Sequence, residues 1–188
     1  MYDLQRSTCI KILLSFYTMK CLKIFLITII IIPLPVHAEW QVVTHTNTDN
    51  DISTEVAYSV NDDGYSMEIY KDNNGVVRLR FSMNKNHHRL DAENCPTYQI
   101  DRLEPQNRSI NDAACIGHKK WGEFILGYLI DNEINSELLL NIMRGNNIHY
   151  RFRLQNSGYA ETTFSLAGSS NALTRALGEH LNIVGNRR

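Results

Sequence analysis

The sequence predicts a mainly β fold: an antiparallel β-sandwich of about seven to eight strands with two short helices, the last one C-terminal. Three observations carry this reading. Short segments alternate apolar and polar residues with period two, the pattern of half-buried strands. Turn signals separate them, as in Asn61-Asp62-Asp63-Gly64, Asp72-Asn73-Asn74-Gly75 and Asn156-Ser157-Gly158. The apolar period lengthens to three and four only in Leu138–Met143 and Ala172–Leu181.

The elements follow in order. Trp40–Thr44 opens as a strand. Glu55–Val60 alternates and is expected to turn Val56, Tyr58 and Val60 inward. The clearest hairpin of the N-terminal half joins Tyr65–Tyr70 to Val77–Met83. A three-residue loop of Asn73, Asn74 and Gly75, with Gly75 left-handed, sets Ile69 opposite Leu79 and Met67 opposite Phe81 on the inner face. Glu68 then faces Arg80, and Tyr70 faces Arg78. Asn84–Asn94 is a polar connection, Thr97–Leu103 a strand and Pro105–Ala114 a polar loop. Trp121–Ile130 is nearly all apolar and reads as a buried strand or a short helix.

The C-terminal third is the most regular. Ser136 is an N-cap, Leu138, Leu139, Ile142 and Met143 form a stripe, and Gly145 is expected to end the helix in a left-handed conformation. Ile148, Tyr150, Phe152 and Leu154 alternate with His149, Arg151 and Arg153. The Asn156-Ser157-Gly158 loop is expected to pair Leu154 with Ala160, Phe152 with Thr162, Tyr150 with Phe164 and, on the outer face, Arg153 with Glu161. Beyond Gly168, Ser169 or Ser170 caps a second helix whose stripe is Ala172, Leu173, Ala176, Leu177 and Leu181, packed on a sheet.

The N-terminal region reads as an export signal. Lys20 and Lys23 precede an apolar run from Ile24 to Ile32, and Val36-x-Ala38 is a small-residue cleavage site. That run is near ten residues, whereas a spanning helix needs roughly 20. Residues 1–38 are therefore expected to form a signal-peptide region, with Met19 as initiator and cleavage after Ala38. A single exported domain, 39–188, remains. The alternative is an uncleaved anchor over Ile10–Val36. Residues 39–188 carry 15 lysines and arginines against 19 aspartates and glutamates, a formal net charge of −4. A dedicated nucleic-acid binder is expected to be basic, so none is expected here. No later segment is long and apolar enough to span a membrane. The expected location is the periplasm or the cell exterior of a Gram-negative bacterium.

Of the four cysteines, Cys95 and Cys115 lie in the expected mature chain. Two cysteines in an oxidising compartment read as one disulfide. A competing reading uses His87, His88, Cys95, Cys115 and His118 as metal ligands, since Cys115-x-x-His118 approaches zinc-ligand spacing. The same residues would serve a hydrolase, but no Gly-x-Ser-x-Gly motif accompanies them. Neither a catalytic residue nor a cofactor is expected. Arg78 and Arg151, with His149, are candidates for contact with an anion or partner, such as a phosphorylated or sulfated envelope glycan. Arg80 and Arg153 are expected to be held by Glu68 and Glu161. Trp40, Trp121 and the tyrosines are expected mostly in the core.

The stretch Phe164-Ser165-Leu166-Ala167-Gly168-Ser169-Ser170-Asn171-Ala172-Leu173 resembles the closing motif of the invasion-associated locus B family of exported bacterial proteins. In that motif a strand ends Ser-Leu-x-Gly and leads into Ala-Leu on a helix. Ile134–Leu154 is similar to the segment before it, and Trp40 and the cysteine pair also fit. The cysteines here are more widely spaced than in that family, and Ser169 replaces an aromatic. The resemblance implies a small periplasmic or envelope β-sandwich, sometimes linked to host-cell entry; the expected role is a non-enzymatic module that binds an envelope or host protein or glycan. It brings no catalytic residues.

Overall fold

The computed structural model describes residues 39–47, 52–83, 89–106, 115–156 and 158–185. The expected signal region 1–38, His87 and His88 lie outside them, as does most of the Pro105–Ala114 loop. Eleven strands and two helices are described: β1 (Gln41–Asn47), β2 (Ile52–Val60), β3 (Ser66–Lys71), β4 (Val76–Ser82), β5 (Thr97–Ile100), β6 (Cys115–Gly117), β7 (Trp121–Ile130), β8 (Glu133–Asn135), α1 (Glu137–Arg144), β9 (Asn147–Arg153), β10 (Tyr159–Ser165), α2 (Ser169–Leu177) and β11 (Asn182–Val184). The excess over the expected number comes from β6, β8 and β11, each three residues long. Trp121–Ile130 is a strand. No helix among the described residues is long and apolar enough to cross a membrane.

The strands form two sheets. The larger runs β1-β2-β3-β4-β7-β8-β11, with β6 also on β7; the smaller runs β10-β9-β5. All pairings are antiparallel except β11 with β8. The sheets meet through aromatic rings. Phe81 of β4 lies 4.8 Å from Tyr150 and 5.1 Å from Phe152, both of β9. Tyr98 of β5 meets Phe124 of β7 edge-on at 5.6 Å. Such pairs contribute roughly 0.5–1.5 kcal/mol each beyond the area they bury. The Tyr150 hydroxyl, wholly buried, donates to the Met67 sulfur at 3.4 Å.

Polar and covalent ties join the same two layers. The Asn61 side chain donates to Thr162 Oγ1 at 2.6 Å and to the Thr163 carbonyl at 2.9 Å, pinning the β2–β3 turn to β10. The Trp40 indole donates to the Ser165 carbonyl at 3.0 Å. Cys95, just before β5, is bonded to Cys115 in β6, so the expected disulfide bridges the two sheets.

The first hairpin has the expected register: Ile69 faces Leu79, Met67 faces Phe81, Glu68 faces Arg80 and Tyr70 faces Arg78. Gly75 is left-handed at φ +77°. The second hairpin differs by two residues. Ala160 faces Phe152, Thr162 faces Tyr150, Phe164 faces Ile148, and Glu161 faces Arg151 rather than Arg153. The inner and outer faces are unchanged, because a shift of two preserves side-chain parity. The turn is closed by the Leu154 amide on the Gly158 carbonyl at 2.8 Å, while Leu154 also bridges to Leu90 and the Gln155 amide donates to the Arg89 carbonyl at 2.9 Å.

Strand β2 also differs from expectation. Ala57 and Ser59 face the core with no exposure; of the three residues expected inward, Val56 is buried, Tyr58 half-buried and Val60 38% exposed. Helix α2 lies across β1, β2 and β3 and sets Ala172 and Ala176 in the same core. Small residues facing one another let the helix approach the sheet. The Ser59 hydroxyl is buried without a hydrogen-bond partner among the described residues.

Both helix ends agree in part with expectation. Ser136 caps α1, accepting the Leu139 amide at 3.2 Å. Gly145 is extended at φ −76°, not left-handed. Its constraint is space, since a Cβ there would lie 2.7 Å from Ile100 and 2.8 Å from the Asn141 carbonyl. The residue capping α2 is Gly168, left-handed at φ 86°, not a serine. Ser169 instead donates its hydroxyl to the Ile142 carbonyl at 2.8 Å, tying α2 to α1.

Replacing both Cys95 and Cys115 by serine is expected to lower unfolding free energy by roughly 3 kcal/mol. Urea denaturation of the oxidised wild type and the double variant checks this; equal midpoints would show that the bridge adds nothing to the sheet contacts.

Candidate functional site

Arg78 and Arg80 stand in a charged cluster on the outer face of the larger sheet. Val77, Leu79 and Phe81 occupy the inner face of β4, so Arg78 and Arg80 turn outward. Glu123 of β7 stands opposite Arg80. Arg78 bonds Asp72 at 2.9 Å and Glu123 Oε1 at 3.0 Å. Arg80 bonds Glu123 Oε2 at 2.8 Å and lies 3.9 Å from Glu68. The Tyr70 hydroxyl donates to the same Glu123 oxygen at 2.8 Å. The Arg80 guanidinium also rests over the Trp121 ring at 5.0 Å, and the His118 ring stacks on Trp121.

Electrostatics follow from this geometry. Burial pushes the Glu123 carboxyl upward, but the Tyr70 hydrogen bond and the Arg80 and Arg78 guanidiniums outweigh it and hold the carboxyl below its ordinary value. Burial, reinforced by the bond to Glu123, pushes the Tyr70 phenol up to about 12. Both Glu123 oxygens are thus occupied, and Arg78 is engaged by two carboxylates.

Arg151 and His149 lie on the outer face of the smaller sheet. His149 Nδ1 is 2.7 Å from Thr163 Oγ1. Arg151 is 3.6 Å from Glu161 and rests over the Tyr159 ring at 4.9 Å. Arg153 pairs with Asp91 at 3.5 Å instead of Glu161. The inner faces of the two sheets meet, so their outer faces point apart. Arg78 is therefore not brought together with Arg151 and His149.

The sulfurs of Cys95 and Cys115 are bonded to each other, so neither is a thiolate for a metal or for nucleophilic attack. No group of three or more His, Cys, Asp or Glu side chains suited to a metal ion occurs among the described residues.

A different site emerges where β5 ends beside the α1–β9 junction. The turn after β5 is closed by the Leu103 amide on the Ile100 carbonyl at 2.9 Å, with Asp101 at φ 48°. That strained backbone turns the Asp101 carboxylate toward the start of β9. There it accepts the Asn147 amide at 2.9 Å and the Asn146 amide at 3.0 Å. These backbone hydrogen bonds, Asn146 foremost, hold the Asp101 carboxyl below its ordinary value. The result is a cleft of about 650 Å³ lined by Asp101, Arg102, Asn141, Arg144 and Asn146 among others. Arg102 and Arg144 are exposed, and neither has a carboxylate partner among the described residues. Asp101 is the one acid lining it, and both its oxygens are already taken by amides. Two guanidiniums beside one satisfied carboxylate leave the cleft positive and able to bond an anion in bidentate fashion.

Sequence reasoning missed Arg102 and Arg144. They are 42 positions apart and sit in no motif. The available signal was Arg144 in the last turn of α1, where a cation is explained by the helix dipole alone.

No family model, curated protein or solved structure matches the chain.

Glu123→Gln is expected to cost about 2 kcal/mol at neutral pH. This is less than the roughly 3–5 kcal/mol of a fully buried pair, because Arg78 keeps Asp72 and Arg80 stays partly solvated. Glu123 is held below its unfolded value, so its contribution is complete above the unfolded carboxylate range and is lost as pH falls through the folded value. Urea midpoints from pH 7 to pH 2 should therefore converge for wild type and variant at the acid end. A constant gap would show that Glu123 acts through packing alone.

Proposed function

We propose that this chain is an exported, non-enzymatic binding module of the bacterial periplasm or envelope. It captures an anionic ligand in the Arg102–Arg144 cleft. The observation that carries the reading is the pair of exposed guanidiniums without carboxylate partners in one cavity. Arg78, Arg80, Arg151 and Arg153 each have a carboxylate within 4.0 Å; the exposed Arg89 and Arg175 also lack one among the described residues, but they do not line this cleft. Surface pairs of that kind contribute little, but they do neutralise charge. An envelope glycan bearing phosphate or sulfate supplies the matching group, along with hydroxyls for Asn141 and Asn146. The disulfide supports an oxidising compartment. The likeness to the invasion-associated locus B family supports an envelope role and, with it, contact with a host surface.

Calorimetric titration with glucose 6-phosphate tests the ligand class. Binding should weaken as salt rises, and Arg102→Gln and Arg144→Gln should each lower affinity about tenfold, the scale of a lost charge-assisted bond. Arg151→Gln should leave it unchanged. Equal affinity for glucose and glucose 6-phosphate would sink the reading. Export is tested separately, by fractionating cells and sequencing the N-terminus of the periplasmic or secreted form. The expected first residue is Glu39; a chain retained in the cytoplasm with its N-terminus intact would contradict it.

A further inference from the structure

A second cavity lies between the helices. It measures about 240 Å³ and is lined by Leu140 and Met143 of α1, Leu173 and Leu177 of α2, and Leu181 and Ile183 beyond them. Leu139 and Ile142 of α1 are fully buried in the main core, whereas Leu140 and Met143 keep part of their surface open to this groove. Polar groups share its exposed wall with these side chains. The Thr174 hydroxyl is spent on the Ser170 carbonyl at 2.9 Å. Arg144 is the one formal charge lining it.

Arg144 also lines the anion cleft. Helical spacing explains the double role. Leu140, Met143 and Arg144 share one face of α1, while Asn141, Arg144 and Gly145 share the next. One guanidinium therefore borders both the cleft and a groove walled by Leu140, Met143, Leu173 and Leu177. An apolar cavity of roughly 150 Å³ suffices to bind benzene, so this one has room for a short alkyl chain.

We infer that the groove takes the alkyl chain of an anionic amphiphile whose head group is held by Arg144. This rests on the cleft reading and deepens it: the ligand is an acylated anion, not a purely polar one. The chain lies among Leu140, Met143, Leu173 and Leu177, and the head projects into the cleft toward Arg102.

The test is calorimetric titration of the full, oxidised chain with butyrate, hexanoate and octanoate, all below micelle formation, and with 1-octanol. Affinity should rise about fourfold per added methylene, the value of burying each in an apolar site. Arg144→Gln should weaken octanoate about tenfold and leave octanol nearly unchanged. Thr174→Trp should fill the groove and abolish both, while glucose 6-phosphate still binds. Near-ultraviolet circular dichroism verifies the fold of that variant, and Ser170→Phe replaces it should the tryptophan disturb packing. Equal affinities from butyrate to octanoate would overturn the inference, as would full octanoate binding by a folded, plugged variant. A concentration-dependent dimer abolished by Thr174→Trp would assign the groove to a second copy and overturn it as well. Glucose 6-phosphate binding that needs Arg102, without any chain-length dependence, leaves the cleft standing and the acyl assignment refuted. Loss of both refutes both.

Discussion

The contact between the two sheets is the constraint on which the other features depend. Phe81 sits at its centre, with Tyr65, Tyr150, Phe152 and Phe164 around it. Because rings from both sheets fill this layer, the odd and even positions of β4 and β9 have no freedom of assignment. Leu79 and Phe81 must face in, so Arg78 and Arg80 must face out; Tyr150 and Phe152 must face in, so His149, Arg151 and Arg153 must face out. The bridge between Cys95 and Cys115 and the bonds from Asn61 to β10 close the same layer from its margins. The surface chemistry is a consequence of the packing beneath it.

That consequence separates two kinds of charge. On the larger sheet, Glu123 is a buried carboxylate whose oxygens are filled by two arginines and a tyrosine, and the cluster holds β3, β4 and β7 together. At the end of the smaller sheet, Asp101 does a similar job for the backbone, fixing the start of β9. Neither carboxylate remains for a ligand. Arg102 and Arg144 have no such assignment, and they stand on elements that Asp101 and the Gly145 close contact hold in place. A binding group is most effective when its support is rigid and its charge is unspent.

Much of the fold was legible because its signals are local. The Asn73-Asn74-Gly75 loop fixes its own hairpin, since only the left-handed Gly75 closes a loop of that length in that register. The Ser136 cap and the stripes on both helices were equally readable. The features missed depend on distant residues. Val56, Tyr58 and Val60 alternate as well as Ala57 and Ser59 do; the small residues face inward because α2 lies over them. The second hairpin carries a turn much like the first, but the Leu154 amide closes it on the Gly158 carbonyl while Leu154 and Gln155 also meet Leu90 and Arg89, and the register differs by two. Whether Arg78 and Arg151 adjoin is a matter of which sheet each strand joins, which no single strand encodes.

The sequence by itself determined the mainly β class, the inner and outer faces of most strands, the two helices and the one pairing available to the expected mature cysteines. These follow from periodicity, turn chemistry and composition, which act over a few residues or over none in particular. Tertiary structure alone decided that the disulfide joins two sheets, that Arg78 is held by Glu123, and that Arg102 and Arg144 share a cleft. The physical reason is that charge pairing and cavity formation depend on which distant segments meet. No local free energy distinguishes an arginine that will find a carboxylate from one that will not.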